Sequence, residues 1–356
     1  MSRRSRLVAE TAFAERLLTM KILIVQTGFL GDIILSTPVI ARVRARYPDA
    51  SIDFLTHPAG ADLVRFNSDI HELIEFDKRG SDSGFGGLLR TAGKLRKKRY
   101  DMVFSLHKSY RTAMLLRLSG IPKRFGFVEA SFSFLYTRSV RRSDLNHEVL
   151  RNLAILRTIG EEPREENGQL RVQLPESVLA RVEGLLKKGP AKLIGIAPGS
   201  VWATKRWTVE GFAKVARVFA EKGFQVVLFG GPSDVEVAAR VEQEAGVALS
   251  NLTGQLSLIE SAAAISQLDL LISNDSAPLH LGSAFKIPVV ALFCATVPEF
   301  GFGPWATRSL TLGVEGLSCR PCGRHGGQTC PTGTHACQRK LAAETVVTAS
   351  EQLLAG

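Results

Sequence analysis

The sequence predicts an α/β protein built from two consecutive parallel-sheet domains, and three observations predict it. Short apolar runs that read as buried strands alternate with helical patterns along the chain, which is the pattern of a parallel sheet covered by helices on both faces. The alternation pauses in the polar stretch Gly160-Glu161-Glu162-Pro163-Arg164-Glu165-Glu166-Asn167-Gly168 and then restarts. Finally, the apolar run Leu268 to Ser273 leads through Asn274-Asp275-Ser276-Ala277-Pro278 into a helical stretch around His280. A strand feeding a helix N-terminus leaves backbone N–H groups unpartnered and adds the positive end of the helix dipole, a ready seat for phosphate.

Each element follows in order. Residues 1–19 read as an N-terminal extension, either amphipathic or added by an upstream start codon; Glu10 and Glu15 interrupt any apolar signal core, so no export signal is read and a cytoplasmic protein is expected. A first domain spans 20–170. It opens with the strand Lys21 to Val25, a glycine turn, and a long helical pattern from Ile33 to Tyr47. Strands are read at Ser51–Thr56 and Tyr100–Leu106, with the polar, glycine-rich stretch Arg79 to Gly87 between them as a mobile loop. A second domain spans 171–338, with strands at Leu193–Ala197, Gln225–Phe229, Leu268–Ser273 and Pro288–Phe293. One of its helices is capped by Thr208, carries the stripe Val209, Phe212, Val215, Ala216 and Phe219, and ends at Gly223. Residues 339–356 form a terminal helix. Two open α/β domains imply a crevice between them, with ligands at the carboxyl ends of both sheets.

Length and composition agree. A chain of 356 residues, 45% hydrophobic and 22% charged, can bury two cores, and no apolar stretch approaches a membrane span. The net charge of +11 is uneven: residues 1–150 hold 25 Lys/Arg against 15 Asp/Glu, and residues 151–356 hold 20 against 19. A basic half suits a polyanion or an anionic membrane surface, although a merely solvated basic face is the plain alternative. Zinc-finger spacing, an aromatic stacking motif and a recognition helix are all missing, so an acidic substrate is expected rather than nucleic acid.

The turn Gln26-Thr27-Gly28-Phe29-Leu30-Gly31-Asp32 presents Asp32 at the mouth of the first sheet. Asp32 is either a helix-capping carboxylate or a general base facing the cleft. The turn is not the G-x-G-x-x-G fingerprint, which disfavours a nicotinamide cofactor. In the second domain, Pro198-Gly199-Ser200 with Lys205 and Arg206 offers a hydroxyl and two cations. Gly230-Gly231-Pro232-Ser233-Asp234 offers a carboxylate for a ribose hydroxyl, and Leu252-Thr253-Gly254 a backbone edge for adenine. Each alone is an ordinary loop. Together with Asp275, Ser276, Ala277 and His280 they compose a nucleoside diphosphate site with Lys205 as its compact cation. Asp275 and Ser276 are N-cap types and Pro278 suits a first turn. His280 either faces a phosphate oxygen or is an ordinary surface histidine.

Cys319, Cys322, Cys330 and Cys337 run as C-x2-C-x7-C-x6-C, with His325 and His335 inside. They hold a structural metal or are reduced or locally bridged thiols; the spacing matches no standard finger. Cys294, on an apolar strand, reads as core.

Taken in order, Gly28-Phe29-Leu30-Gly31-Asp32, Pro198-Gly199-Ser200 with Lys205-Arg206-Trp207-Thr208, Gly230 to Asp234, and Asn274 to Ala284 resemble glycosyltransferase family 9, the ADP-heptose:lipopolysaccharide heptosyltransferases. The resemblance runs from about Lys21 to the terminal helix. Ser105-Leu106-His107-Lys108-Ser109-Tyr110-Arg111 and the cysteine-rich tail are most similar to heptosyltransferase II. It implies a GT-B fold, two Rossmann-like domains with parallel sheets facing across a cleft and a terminal helix crossing back. It also implies inverting transfer that requires no metal or other cofactor. Asp32 falls on the catalytic Asp, Lys205 on the phosphate-binding Lys, Asp275, Ser276, Ala277 and His280 on the diphosphate loop, and Asp234 on the ribose carboxylate. The common D-T-G of that loop is D-S-A here, so Ala277 replaces a glycine. No D-x-D tripeptide occurs. The implied partners are ADP-heptose and the anionic lipopolysaccharide core, met at the cytoplasmic face of the inner membrane. Gly31, His107, Arg111 and Arg124 are candidates for the acceptor, and Arg117, Lys123, Arg138, Arg141 and Arg142 join them as basic residues of the first half. The alternatives are a GT-B enzyme for another sugar nucleotide and a nucleotide- or polyanion-binding module without turnover.

Overall fold

The computed structural model describes residues 20–187 and 189–355; the extension read at 1–19 lies outside them. The chain divides into two compact units, the first ending at Arg171 and the second beginning at Val172.

Unit 1 contains β1 (Lys21–Gln26), α1 (Leu30–Ile34), α2 (Thr37–Arg46), β2 (Ser51–Thr56), β3 (Glu72–Glu75), α3 (Gly84–Lys98), β4 (Met102–Ser105), α4 (Tyr110–Leu118), β5 (Lys123–Phe127), β6 (Arg138–Val140) and α5 (Glu148–Leu153). Its sheet has the order β3-β2-β1-β4-β5-β6 with every pair parallel. Ile22, Leu23, Ile24 and Val25 are completely buried, as a central parallel strand requires.

Unit 2 contains α6 (Glu176–Leu186), β7 (Leu193–Ala197), α7 (Val209–Glu221), β8 (Gln225–Leu228), α8 (Val235–Ala245), β9 (Ser250–Asn251), α9 (Leu258–Ile265), β10 (Leu270–Asn274), α10 (Ala277–Ala284), β11 (Val289–Leu292), β12 (Ser309–Leu312), α11 (Ala336–Arg339) and α12 (Ala343–Ala355). Its parallel sheet runs β12-β11-β10-β7-β8-β9. Thr208 caps α7 by accepting from the Gly211 N–H, and Phe212, Val215, Ala216 and Phe219 are buried along it. Trp207 packs edge-on against Phe212 with ring centroids 5.0 Å apart. A Cβ on Gly211 would lie 2.4 Å from that indole, which is why this helical position is glycine. The terminal helix α12 packs its apolar face into the same core through Val346, Ala349 and Leu353.

Both sheets follow the doubly wound order, whose switch points fall between β1 and β4 and between β7 and β10. Ligand crevices form at the carboxyl ends of such strand pairs. Sequence periodicity carries no information on this order, and the short strands β3, β5, β6, β9 and β12 escaped it.

Two other readings need correction. The single helix expected from Ile33 to Tyr47 is broken between α1 and α2. Pro38 has no N–H to give the Ile34 carbonyl, and the Thr37 hydroxyl takes that carbonyl instead at 2.8 Å. Arg79 to Gly87 is only partly loop, because α3 already begins at Gly84. Among the described residues no helix is long and apolar enough to cross a membrane.

Candidate active-site residues

In unit 1 the exit of β1 turns at Gly28 into α1, with Phe29 as N-cap and Asp32 as the third helical residue. The Asp32 Oδ2 accepts from the Phe29 N–H at 2.9 Å. A Cβ at residue 28 would stand 2.6 Å from that same oxygen, so glycine is needed to let the carboxylate close over the turn. Asp32 is therefore a capping carboxylate in its geometry, yet its ionisation is not that of a cap. Burial pushes its pKa up to about 6, the Glu148 carboxylate adds to this, and the Phe29 N–H, Arg142 and Lys108 oppose it.

Around Asp32 stand groups that the sequence did not single out for it. Glu148 is buried and accepts from the Arg142 Nη2 at 2.5 Å. Arg142, only 3% exposed, lies over the Phe127 ring at 4.8 Å, so it is a buried ion-pair partner rather than the surface cation expected. Lys78 donates to the Thr27 carbonyl at 2.8 Å and lies 3.4 Å from the His107 Nε2. Burial holds the Lys78 ammonium below its ordinary range, with Arg79 adding and Asp32 opposing. His107 is pushed down to about 3 by burial and then by Lys78 and Lys108, so the ring is neutral. With Nε2 facing a lysine, the hydrogen-bond network assigns the proton to Nδ1, 3.0 Å from the Thr112 hydroxyl. The β1–β4 pairing brings Gly31, Asp32 and His107 to one end of the sheet.

The two arginine candidates are engaged with backbone. The Arg111 guanidinium donates to the Asp82 and Gly84 carbonyls and lies over the Phe76 ring. Arg124 donates to the Leu135 and Ile121 carbonyls. It also sits at the wrong end of its strand: Val103 pairs both with Arg124 and with Leu23, three residues before β1 ends. Arg124 therefore belongs to the amino-terminal part of the sheet, away from Asp32. One residue's place in a strand cannot be read until its register is known.

In unit 2 the β7–β10 pairing gathers the predicted loops. Asn274, fully buried, donates from Nδ2 to the Pro198 carbonyl at 2.8 Å and accepts at Oδ1 from the Trp207 N–H at 2.9 Å. It thereby fixes the chain on both sides of Lys205. The Lys205 Nζ lies 2.6 Å from the Asp275 Oδ2, which also accepts from the Thr296 hydroxyl at 2.7 Å. Arg206 holds the Ser200 carbonyl at 2.8 Å. The Asp234 Oδ2 accepts from the Gly231 N–H at 3.0 Å. Cβ atoms on Gly199 and Gly230 would lie 2.2 and 2.7 Å from the Asp234 side chain, so both glycines make room for it. Among the described residues the buried Thr253 hydroxyl has no hydrogen-bond partner.

Ser276 is the N-cap of α10 with Pro278 in the first turn, but its hydroxyl bonds back to the Asn274 carbonyl rather than capping the helix. The first N–H groups of α10 thus receive no cap from the Ser276 side chain. Ala277 opens the helix, and His280 is 3% exposed, which removes the surface-histidine alternative.

The cysteines are electrostatic neighbours: Cys319, Cys322 and Cys330 all help, after burial, to hold the Cys337 thiol up. Tetrahedral thiolate ligation at ~2.3 Å would draw sulfurs to within about 4 Å of one another. Among the described residues, the one group of three His, Cys, Asp or Glu ligand atoms within 4.8 Å of each other is instead Asp53, His71 and Glu72. These lie toward the strand starts of β2 and β3, with Asp53 and Glu72 ion-paired to Lys98 and His71 3.1 Å from the Asp53 carboxylate. The four sulfurs therefore do not form a closed cage here. Cys294 is core, as expected.

The fold first defines the class. A glycosyl transferase of family 9 from Veillonella parvula superposes with a TM-score of 0.84 at 28% identity, covering 94% of this chain and 97% of that one. The Escherichia coli ADP-heptose lipopolysaccharide heptosyltransferase II shares the fold with a TM-score of 0.76 at 23% identity, covering 94% and 99%. This is the GT-B architecture of a glycosyltransferase. The sequence then specifies the family: residues 88–331 match the model of glycosyltransferase family 9 (heptosyltransferase), and the chain belongs to that family. Lipopolysaccharide heptosyltransferase 2 of Escherichia coli is 29% identical over 297 residues, 79% of this chain and 84% of that protein. Lipooligosaccharide heptosyltransferase 2 of Campylobacter jejuni is 25% identical over 344 residues, 94% and 98% of the two chains.

Proposed function

We propose that this glycosyltransferase moves heptose from ADP-heptose to the inner core of lipopolysaccharide, with inversion and without a metal ion, at the cytoplasmic face of the inner membrane. The observation that carries the reading is the carboxyl of Asp32, held at the β1 exit with a pKa of about 6. A base with that value is ionised at neutral pH and still binds a proton well enough to accept one. The acceptor hydroxyl gives its proton to Asp32 while its oxygen bonds to the anomeric carbon, and the bond from that carbon to the diphosphate breaks. ADP leaves with the electron pair. Lys205, Ser276, Ala277, His280 and the start of α10 stabilise the departing charge, with Asp275 orienting Lys205. Ser200, Asp234 and Thr253 hold the nucleoside. Gly31, His107 and Arg111 serve the acceptor, His107 as a neutral hydrogen-bonding ring, while Arg124 is withdrawn from that role. The anionic core, not nucleic acid, is the partner of the basic unit.

Release of ADP from ADP-heptose, measured with and without a heptose-deficient core acceptor and in the presence of EDTA, tests the proposal. Acceptor-dependent release that survives EDTA, with an inverted anomeric centre in the product, is expected. Turnover only with another sugar nucleotide would reassign the donor, and binding without turnover would refute catalysis.

A further inference from the structure

Unit 1 carries an exposed aromatic ridge that the candidate site does not use. Phe134 is 78% exposed, Tyr110 54% and Phe132 45%. Their rings form a continuous row, with centroids 5.9 Å apart between Tyr110 and Phe132 and 5.6 Å between Phe132 and Phe134. On α3, which packs beside α4, Phe85 and Leu89 are also exposed and one helical turn apart. Contiguous exposed apolar side chains cost solubility and mark a surface with a partner.

The ridge is built, not frayed. Phe132 stands at φ 62°, a left-handed conformation that an aromatic residue rarely adopts. It is held there by the Ser131 N–H donating to the Lys108 carbonyl at 2.9 Å and by the Leu135 N–H donating to the Phe132 carbonyl at 3.0 Å. Tyr136, just beyond, is buried and bonded to the Ser105 hydroxyl at 2.9 Å. Gly or Asn would take this left-handed backbone with less strain, so the aromatic side chain at 132 is kept at a backbone cost.

The charge around the ridge is one-sided. Between Asp82 and Asp144 the chain has 14 Lys/Arg against four acidic residues, Asp82, Asp101, Glu129 and Asp144. The Glu129 carboxylate is turned onto the Arg142 and Ser143 N–H groups, and Asp82 is paired with Arg90. Arg124 supports the ridge from beneath through the Leu135 carbonyl, and the exposed Arg117 is close enough to help lower the Arg124 pKa, after burial. Tyr and Phe flanked by cations, with the carboxylate turned away, fit the headgroup region of an anionic bilayer: rings at the acyl boundary, guanidinium groups at the phosphates.

We propose that the Tyr110–Phe132–Phe134 ridge docks this enzyme onto an anionic phospholipid membrane. The inference deepens the acceptor side of the proposed function by naming the surface that meets the membrane. Its test uses neither donor nor acceptor, so its failure would leave the transfer reaction standing.

The full chain is sedimented with extruded vesicles of phosphatidylglycerol and phosphatidylcholine in equal parts, and with phosphatidylcholine alone, at about 0.15 M salt. Wild type should pellet with the anionic vesicles only. Phe132→Ser with Phe134→Ser should weaken partitioning at least about tenfold, with an unchanged circular dichroism spectrum. Phe134→Ser alone, at a side chain in contact mainly with water, should give part of that loss. Arg117→Ser should weaken binding and flatten its salt dependence. Phe66→Ser, at an exposed aromatic between β2 and β3, the strands at the opposite edge of the sheet, should change nothing. Equal pelleting of wild type and the double variant, or no binding to anionic vesicles, would overturn the proposal. So would sedimentation velocity showing a wild-type dimer that the double variant dissolves, which would make a second copy the occupant.

Discussion

Asp32→Asn separates what this carboxylate does for the reaction from what it costs the fold. The amide keeps an oxygen for the Phe29 N–H but cannot ionise. A carboxyl raised from 3.8 to about 6 burdens the folded state by at most about 3 kcal/mol once it is ionised. The folded protein holds this proton more tightly than the unfolded chain, so the Asp32 contribution to stability falls as pH rises from about 4 to about 6 and is level on either side. Asp32→Asn should remove that slope: the variant matches wild type near pH 3.5 and exceeds it by up to ~3 kcal/mol at pH 7.5. The readout is favourable because all four tyrosines (Tyr47, Tyr100, Tyr110, Tyr136) lie in unit 1 and all three tryptophans (Trp202, Trp207, Trp305) in unit 2. Urea melts followed by tyrosine near-ultraviolet dichroism report unit 1, and tryptophan fluorescence should show no change in unit 2. Transfer should meanwhile drop by roughly 10²–10⁴, as loss of a general base does. In wild type, kcat/KM should fall about tenfold per pH unit below pH 6. A variant less stable than wild type at every pH would refute the desolvated carboxylate. Near-wild-type turnover would refute the base.

Three further outcomes are expected. Lys205→Ala should cut kcat/KM about a hundredfold, mostly through donor KM, because it removes the diphosphate cation and strands the buried Asp275 carboxylate; an unchanged KM measured by ADP release would count against this. Asn274→Ala should destabilise unit 2 by about 3–5 kcal/mol, since the Trp207 N–H and the Pro198 carbonyl lose their buried partner; tryptophan-detected melts read it directly. Cys330 should be the first thiol alkylated by iodoacetamide at pH 7, because the Thr332 hydroxyl and the His335 backbone lower its pKa to about 6. The buried Cys294, held well above the ordinary thiol range, should be the last, and peptide mass spectrometry gives the order.

Much of this protein could be read locally. The central strands, the capped helix α7 with its stripe, and the strand-to-helix turns at Gly28–Asp32 and Asn274–Ser276 each declare themselves within a dozen residues. Periodicity and turn chemistry act over that range. The helix break at Pro38 was also local, but it hid inside an apolar pattern that otherwise looked continuous.

Tertiary structure decided the rest, because it depends on which strands become neighbours. Only the sheet order β3-β2-β1-β4 brings His107 near Lys78, and burial, with Lys78 adding to it, keeps the ring neutral. Placing β10 beside β7 joins Lys205 to Asp275 and lets Asn274 hold both flanks of that lysine. Arg142 looked like one more surface cation until folding buried it against Glu148 and Phe127. Arg124 looked equivalent to Arg111 until the register put it near the start of its strand. Side-chain type and spacing are properties of the chain alone, whereas burial, register and the field at a carboxylate are made by residues far away in sequence.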